Sequence, residues 1–372
     1  MNIIHVGASS HPNGVNGINA AIWAVAAAQV RTGHRVAILL TSDAGVPTEV
    51  EMAKSGIHLL NVPWRWWQPG HGLLSSPAVV GFEPHMLHIH SVFVPLHARI
   101  CAEARHLKIP YVLTPHGGLA PQVLKRNVIK KSVYSTLVER TQFRNAKGIS
   151  IVAPAEEEDI RTFIPLYAGP IAHIPNPIDV NLLAGIPRRL TRMSNRPKLI
   201  YLGRFDVLHK GIDLLFAVAA ALPNVEFHLY GRNPGPTKKI FSDLMRSKGP
   251  NVFIEKPVFG QAKAQAMMAA DLYIQCSRWE GFGISVAEAM AAGLPVVISD
   301  TMRLAPVFRD HDLGLVVPLD AEAAADKIAD ALNRPAKLAE WSDKSRRYAV
   351  ENFNATKISD AYLRFYQLAI GS

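Results

Sequence analysis

Cysteine is nearly absent from this chain: Cys101 and Cys276 are the only two in 372 residues. Two thiols so far apart exclude a disulfide framework and give no metal-binding spacing, which fits a reducing compartment. Long apolar runs are missing too. The longest that reads as helix, Ala20–Ala28, is too short to span a bilayer. Met1 leads straight into a strand-like run, Asn2 to Val6, with no charged leader and no cleavage signal. No solenoid-length repeat and no recognition-helix or RNA-binding signature is present. What remains is an apolar share of 49% and an aromatic share of 8%, enough for a sizeable core. At this length one core usually stops growing, so two domains are expected.

The net charge of +10 bears on nucleic acid only if it is clustered. It is spread evenly: 15 Lys+Arg against 10 Asp+Glu in residues 1–178, and 25 against 20 in residues 179–372. A nucleic-acid partner is therefore not expected. One local cluster stands out. Residues 125–147 carry Lys125, Arg126, Lys130, Lys131, Arg140, Arg144 and Lys147 against a single acid, Glu139. With Val128, Ile129, Val133, Leu137 and Val138 interleaved, this segment reads either as a helix lying on anionic lipid or as a solvated basic face over an ordinary apolar stripe.

Along the chain, Ile3–Gly7, a glycine-bearing loop ending at Gly17, a helix over 18–31 and the run Arg35–Leu40 form a βαβ unit, which implies a parallel sheet covered on both faces. Met86–His90 and Tyr111–Thr114 read as further buried strands. The proline-broken stretch Ile174–Asp179 is the best linker, and after it the pattern restarts. Lys198–Leu202, Val225–Tyr230, Leu272–Gln275 and Pro295–Ser299 read as strands, with a helix over 212–222. Residues 336–370 read as helical, with Tyr348, Phe353, Tyr362, Phe365 and Tyr366 on them. The fold class is α/β, with two doubly wound domains.

Three strand-end constellations carry chemistry. Glu280-Gly281-Phe282-Gly283-Ile284 follows a strand and opens a helix that should stop at Gly293. Its glycines let backbone N–H groups approach a ligand, and the helix N-terminus favours a diphosphate. Glu288, about one turn in, can aim a carboxylate at a ribose diol. Gly203-Arg204 through Lys210-Gly211 also follows a strand, so both cations should emerge at the same sheet edge as Glu280. Arginine offers phosphate a bidentate fork and lysine a point charge. Thr114-Pro115-His116-Gly117-Gly118 comes third; His116 is either a structural histidine or, with two glycines baring the backbone beside it, a near-neutral group that bonds a sugar.

Together these residues resemble the family 4 retaining glycosyltransferases, over nearly the whole chain and most closely from Lys198 to Ser299. Glu280 and Glu288 match that family's E-x7-E motif, Arg204 and Lys210 its diphosphate-binding pair, and His116 its cleft histidine. The resemblance implies a GT-B architecture: two Rossmann-like domains facing each other across a cleft, residues 1–175 for the acceptor, 176–350 for the nucleotide sugar, and a C-terminal helix, 351–372, crossing back onto the first. It implies His116, Arg204, Lys210 and Glu280 as catalytic residues. Donor contacts would come from Gly17, Gly203, Arg204, Lys210, Val258, Glu280, Gly281, Phe282, Gly283, Ile284 and Glu288. Glu288 would hold the nucleotide ribose, Glu280 the transferred sugar, and Val258 the base. Two departures stand out: Asn16-Gly17-Ile18-Asn19 lacks the usual paired glycines and acid, and Cys276 replaces a proline. Trp64, Trp66 and Trp67 match no family role; they could serve acceptor, membrane or packing.

The resemblance further implies retaining hexosyl transfer from a UDP- or GDP-sugar to a glycan or lipid-linked acceptor, in surface polysaccharide or glycolipid synthesis. No cofactor and no metal ion are expected, since the cation pair can replace a metal and no Asp-x-Asp sits in a convincing loop. The enzyme would be cytoplasmic, peripheral on the inner membrane face. The rivals are a sugar-nucleotide epimerase or phosphorylase of the same fold, and a non-catalytic nucleotide-binding protein.

Overall fold

Strands buried on both faces of a parallel sheet read as nearly unbroken apolar runs, and this chain builds two such sheets. The computed structural model describes residues 1–7, 17–40, 55–62, 72–124, 134, 138–180, 196–232 and 235–371. It divides into two units: Met1–Pro177 with Ala355–Ser372, and Ile178–Asn354. The boundaries thus fall at 177 and 354 rather than at 175 and 350.

The first unit holds seven strands: β1 (Asn2–Val6), β2 (Arg35–Leu40), β3 (His58–Asn61), β4 (Met86–His90), β5 (Tyr111–Thr114), β6 (Gly148–Ile151) and β7 (Ile171–His173). Their order is β3-β2-β1-β4-β5-β6-β7, with every pairing parallel. Alternation along β1 sends Ile4 and Val6 into one core and Ile3 into another, beneath Tyr362, Phe365 and Tyr366 of the terminal helix Ala355–Gly371.

The second unit holds β8 (Lys198–Arg204), β9 (Glu226–Arg232), β10 (Val252–Glu255), β11 (Leu272–Gln275), β12 (Val296–Ser299) and β13 (Leu315–Val317), in the order β10-β9-β8-β11-β12-β13. All are parallel. Each sheet therefore reverses its winding once, between β1 and β4 and between β8 and β11. Open α/β sheets bind ligands beyond the strand ends at such points.

The helix expected over 336–370 is two helices, Pro335–Asn352 and Ala355–Gly371. The break is held by tertiary contacts. Phe353 is buried against Phe282, with ring centroids 5.0 Å apart, and its carbonyl accepts from Ile178 N at 2.9 Å. Asn354 then bridges Ile178 in parallel fashion. The first helix packs on Ile284–Ala291 of its own unit and the second on Gly17–Arg31 of the other.

Gly148 of β6 is the seat of that second helix, since a Cβ there would come within 2.5 Å of the Phe365 ring. Gly148→Val should therefore cost about 1–3 kcal/mol, the usual range for overpacking a core. It would appear as a lower urea midpoint with faster amide exchange across Ala355–Gly371. An unchanged midpoint would contradict this packing.

Candidate active site

At the winding reversal of the second sheet, β8 and β11 are neighbours, so the chains leaving them emerge side by side. They press together closely. Gly211 has φ 63°, and a Cβ there would run into the Cys276 carbonyl oxygen just past β11. Only glycine fits both the left-handed backbone and the contact. Asp206 caps the short helix Val207–Lys210 by accepting from His209 N at 3.1 Å. The Arg278 guanidinium braces the two loops, donating to both Asp213 carboxylate oxygens at 2.8 and 2.6 Å and to the Val207 carbonyl at 3.2 Å.

This scaffold brings Lys210 and Glu280 together. Lys210 Nζ donates to Glu280 Oε2, which also accepts from Gln275 Nε2 at 3.1 Å and Ser277 Oγ at 3.2 Å. Burial, the largest single influence, pushes the Glu280 carboxyl up, but Lys210, His209 and Ser277 together outweigh it and hold it below the ordinary glutamate range. Glu280 is thus a carboxylate. His209 lies with Nε2 3.9 Å from it, its ring stacked on Trp279 at 4.4 Å between centroids. Burial and then the Lys210 charge bring the His209 pKa down to about 4, so this ring is neutral near pH 7.

Beyond Glu280 the chain turns through Gly281 and buried Phe282 into Gly283, whose φ of 85° opens the helix Ile284–Ala291. The Gly283 carbonyl closes its first turn, accepting from Val286 N at 2.9 Å. Gly293, at φ 68°, takes the left-handed conformation expected of it beyond the helix end. The Glu288 carboxylate accepts from Lys263 Nζ, on the helix Gly260–Met268. Val258 is half-buried in the segment between β10 and that helix.

Arg204 corrects one expectation. It is the last residue of β8 rather than a loop residue, because Gly203 and Arg204 stay in register with Gly231 and Arg232 of β9. Both arginines are exposed. Like charges directly opposite each other in a sheet are unfavourable unless something anionic lies near.

Gly17 and His116 belong to the first unit. Gly17 is the exposed first residue of the helix Gly17–Arg31. His116 follows β5 with φ 52°, and Gly117 N donates to Glu156 Oε2 at 3.1 Å. The near-neutral titration expected of His116 does not hold: burial brings its pKa down to about 3, with Asn176 offsetting only part. Its Nε2 meets His90 Nδ1 at 3.0 Å, and the Asn176 side chain is hydrogen-bonded to the ring. His5, His88 and His90 lie beside it, their ring nitrogens within 4.8 Å of one another. That grouping has metal-ligand chemistry, but all six nitrogens are already hydrogen-bonded, to each other, Gln29, Tyr366, Thr114 and His116.

Sequence reasoning missed Lys263, Arg232, Gln275, Ser277, His209 and the histidine cluster. Two histidines inside Met86–His90, a strand expected to be buried, were a usable signal for the last. Nothing in the spacing pointed to Lys263, which lies 25 residues from Glu288. Both cysteines are buried and free. Among the described residues no helix is long and apolar enough to cross a membrane. Trp64, Trp66, Trp67 and the loop before Gly17 lie outside the described residues, as do 125–133 and 135–137 of the basic segment.

Comparison with known proteins bears on this geometry. A family model described as "Glycosyl transferases group 1" matches residues 186–348, and one described as "Glycosyl transferase 4-like domain" matches 16–177. The phosphatidyl-myo-inositol mannosyltransferase of Mycobacterium tuberculosis is 30% identical over 213 residues, 54% of either chain. The chain thus spans about half the length of the first curated relatives it matches. The GDP-mannose:cellobiosyl-diphosphopolyprenol alpha-mannosyltransferase of Xanthomonas campestris is 24% identical over 100% of this chain and 98% of its own. Among solved structures, sucrose-phosphate synthase from Thermosynechococcus elongatus superposes with TM-score 0.78 at 21% identity, covering 100% and 99% of the two chains. HepE of Anabaena, solved with UDP and glucose, gives 0.75 at 18% identity over 99% of each.

The buried histidines of the first unit make its stability depend on pH. In the unfolded chain they titrate near 6.5; in the fold, burial lowers His5 to about 4, His116 to about 3, and His88 and His90 well below their ordinary value. The unfolded state therefore binds protons first as pH falls, and stability declines below pH 6.5 toward the folded values. Each histidine held neutral contributes about 1.4 kcal/mol per pH unit in that window. Urea unfolding at pH 7 and pH 5 should show the loss, and His5→Gln should flatten it. Equal slopes in the two proteins would remove His5 from the effect.

Proposed function

The chain belongs to the family 4 glycosyltransferases, and on that premise we propose that it moves a hexose from a nucleoside-diphosphate sugar to a glycan or lipid-linked acceptor with retention of anomeric configuration. The observation that carries this reading is the gathering of Arg204, Lys210 and Glu280 at the β8/β11 reversal, one step from the helix opened by Gly283. The diphosphate would lie against Lys210, Arg204 and the N–H groups at the start of that helix. Arg232 stands in register with Arg204 on the neighbouring strand, and its guanidinium would add to the same charge. Glu280 and the backbone of Phe282 and Gly283 would hold the transferred sugar, Glu288 the ribose, and Val258 the base.

Chemically, the bond between anomeric carbon and diphosphate oxygen breaks as the acceptor hydroxyl approaches from the same face. The departing diphosphate oxygen takes the hydroxyl proton. Positive charge fixed in advance where negative charge develops is what lowers this barrier. A lysine already neutralising Glu280 keeps its ammonium at the site until the diphosphate arrives. No metal ion is required by this scheme, in which the cations carry the leaving-group charge.

Support for a lipid-borne acceptor comes from the relatives, whose names specify phosphatidyl-myo-inositol and a diphosphopolyprenol. The basic segment 125–147 would meet the anionic headgroups and hold the enzyme peripherally on the membrane's inner face. Arg144 and Lys147 are exposed, while the single acid, Glu139, is buried and bonded to Gln142 at 3.2 Å. The outer side of that stretch is left basic among the described residues.

A panel of nucleotide sugars in a thermal-shift assay tests the donor half, since ligand that binds only the folded state raises apparent stability. GDP- or UDP-linked hexoses should raise Tm, with the shift lost in Lys210→Ala. A shift of equal size in Lys210→Ala would remove the lysine from the diphosphate site. Donor isomerised without acceptor would favour the epimerase instead.

A further inference from the structure

The second sheet carries an amide where a central parallel strand normally carries an aliphatic. Alternation along β11 sends Leu272 and Ile274 into the core and leaves Tyr273 and Gln275 on the opposite face. Gln275 is 2% exposed, and Tyr273 and Ser277 are fully buried. A buried amide is unfavourable unless its polar atoms are bonded, and these are. Gln275 Oε1 accepts from the Tyr273 hydroxyl at 2.7 Å, while Nε2 donates to Ser277 Oγ at 3.3 Å and to Glu280 Oε2 at 3.1 Å.

The Tyr273 phenol fixes which way the amide points. Burial above all keeps it protonated, well above the ordinary tyrosine range, so it has an O–H to give; the Ser285 hydroxyl bonds it as well. Its other acceptor, the Leu202 carbonyl, lies farther off at 3.5 Å. With the amide reversed, a carbonyl oxygen would face the carboxylate. The turn beyond is pinned too, since the Ser277 carbonyl accepts from Ser299 Oγ at 2.6 Å and from Thr301 Oγ1 at 2.9 Å.

Lys210 Nζ, Gln275 Nε2 and Ser277 Oγ all converge on Glu280 Oε2, and among the described residues no donor reaches Oε1. A carboxylate oxygen has room for about two donors, so Oε2 is filled by the protein. The Glu280 side chain nonetheless keeps 16% of its surface exposed. Its three donors differ in kind. An arriving diphosphate draws on the ammonium by Coulomb attraction. The amide and the hydroxyl carry no charge to be drawn away.

We propose that Gln275 is a positioning residue for the sugar donor: with Ser277 it keeps Oε2 of Glu280 occupied, which reserves Oε1 for hydroxyl groups of the transferred sugar, and it holds that carboxylate in place once the diphosphate engages Lys210. The role rests on the transferase reading. Gln275 itself touches no substrate. It acts through Glu280, on the sugar and not on the diphosphate.

Gln275→Met keeps the length of the side chain and removes its donor and acceptor. Isothermal titration with UDP-glucose against UDP, and with GDP-mannose against GDP, separates the sugar from the diphosphate. The variant should bind the nucleotide sugar about tenfold more weakly, the effect of one hydrogen bond to a charged group, with affinity for the free diphosphate unchanged. Equal losses for both ligands, or none for either, overturn the proposal. The carbon-13 signal of Glu280, assigned by its loss in Glu280→Gln, reads the same link without substrate. Lys210, His209 and the Tyr201 and Tyr273 phenols are the other titratable groups acting on this carboxylate. Its titration midpoint should rise in Gln275→Met, and an unmoved midpoint overturns the proposal. In the wild-type protein, where no variant has to fold, the Gln275 side-chain amide should stay protected from hydrogen exchange after UDP or GDP is added. Exchange as fast as that of an exposed amide overturns the proposal. Wild-type protein that binds none of the four ligands, beside the expected rise at Glu280, would instead strike the transferase reading.

Discussion

The second unit depends on the contact between Gly211 and the Cys276 carbonyl oxygen. Parallel strands deliver every connection to one sheet edge, but delivery alone does not make a site. The chains leaving β8 and β11 must also touch, and glycine's missing Cβ is what permits it. From that contact follow the bracing of both loops by Arg278 and the meeting of Lys210 with Glu280. A carboxylate taken out of water is costly unless paired and hydrogen-bonded, and Glu280 has Lys210, Gln275 and Ser277 at one oxygen. Its charge is therefore an arranged feature of the fold, with Lys210 held in place by the same arrangement.

Much of this was legible in the sequence because period and punctuation dictate it. Leu272–Gln275 is wholly apolar but for its last residue, then comes a turn with two glycines, then a helix ended by Gly293; such a string has few other ways to fold. Less legible was whatever depends on partners distant in sequence. Residues 336–370 carry a helical pattern throughout, and only Phe353 docking on Phe282 and pairing with Ile178 splits them into helices of different units. Arg204 was expected in a loop because Gly203 punctuates; the strand continues because Gly231 opposite lets the two backbones stay close. Lys263 could not be assigned to Glu288 by any local rule.

The histidine cluster was not legible for a different reason. A lone histidine is ordinarily unremarkable, and each of these is isolated or nearly so in sequence. Their meaning lies in being stacked, since His5 and His90 are 85 residues apart yet bonded. Burial strips the charge from all of them. Tautomer, ordinarily free to switch in water, then becomes a fixed property of the fold.

The two units consequently use opposite electrostatic means. The second pairs cations with carboxylates, at Lys210–Glu280, Lys263–Glu288 and Arg278–Asp213. The first keeps a whole file of titratable rings neutral. Charge suits the binding of an anion, because Coulomb attraction tolerates small errors of geometry; a neutral ring offers only hydrogen bonds, whose direction must be met.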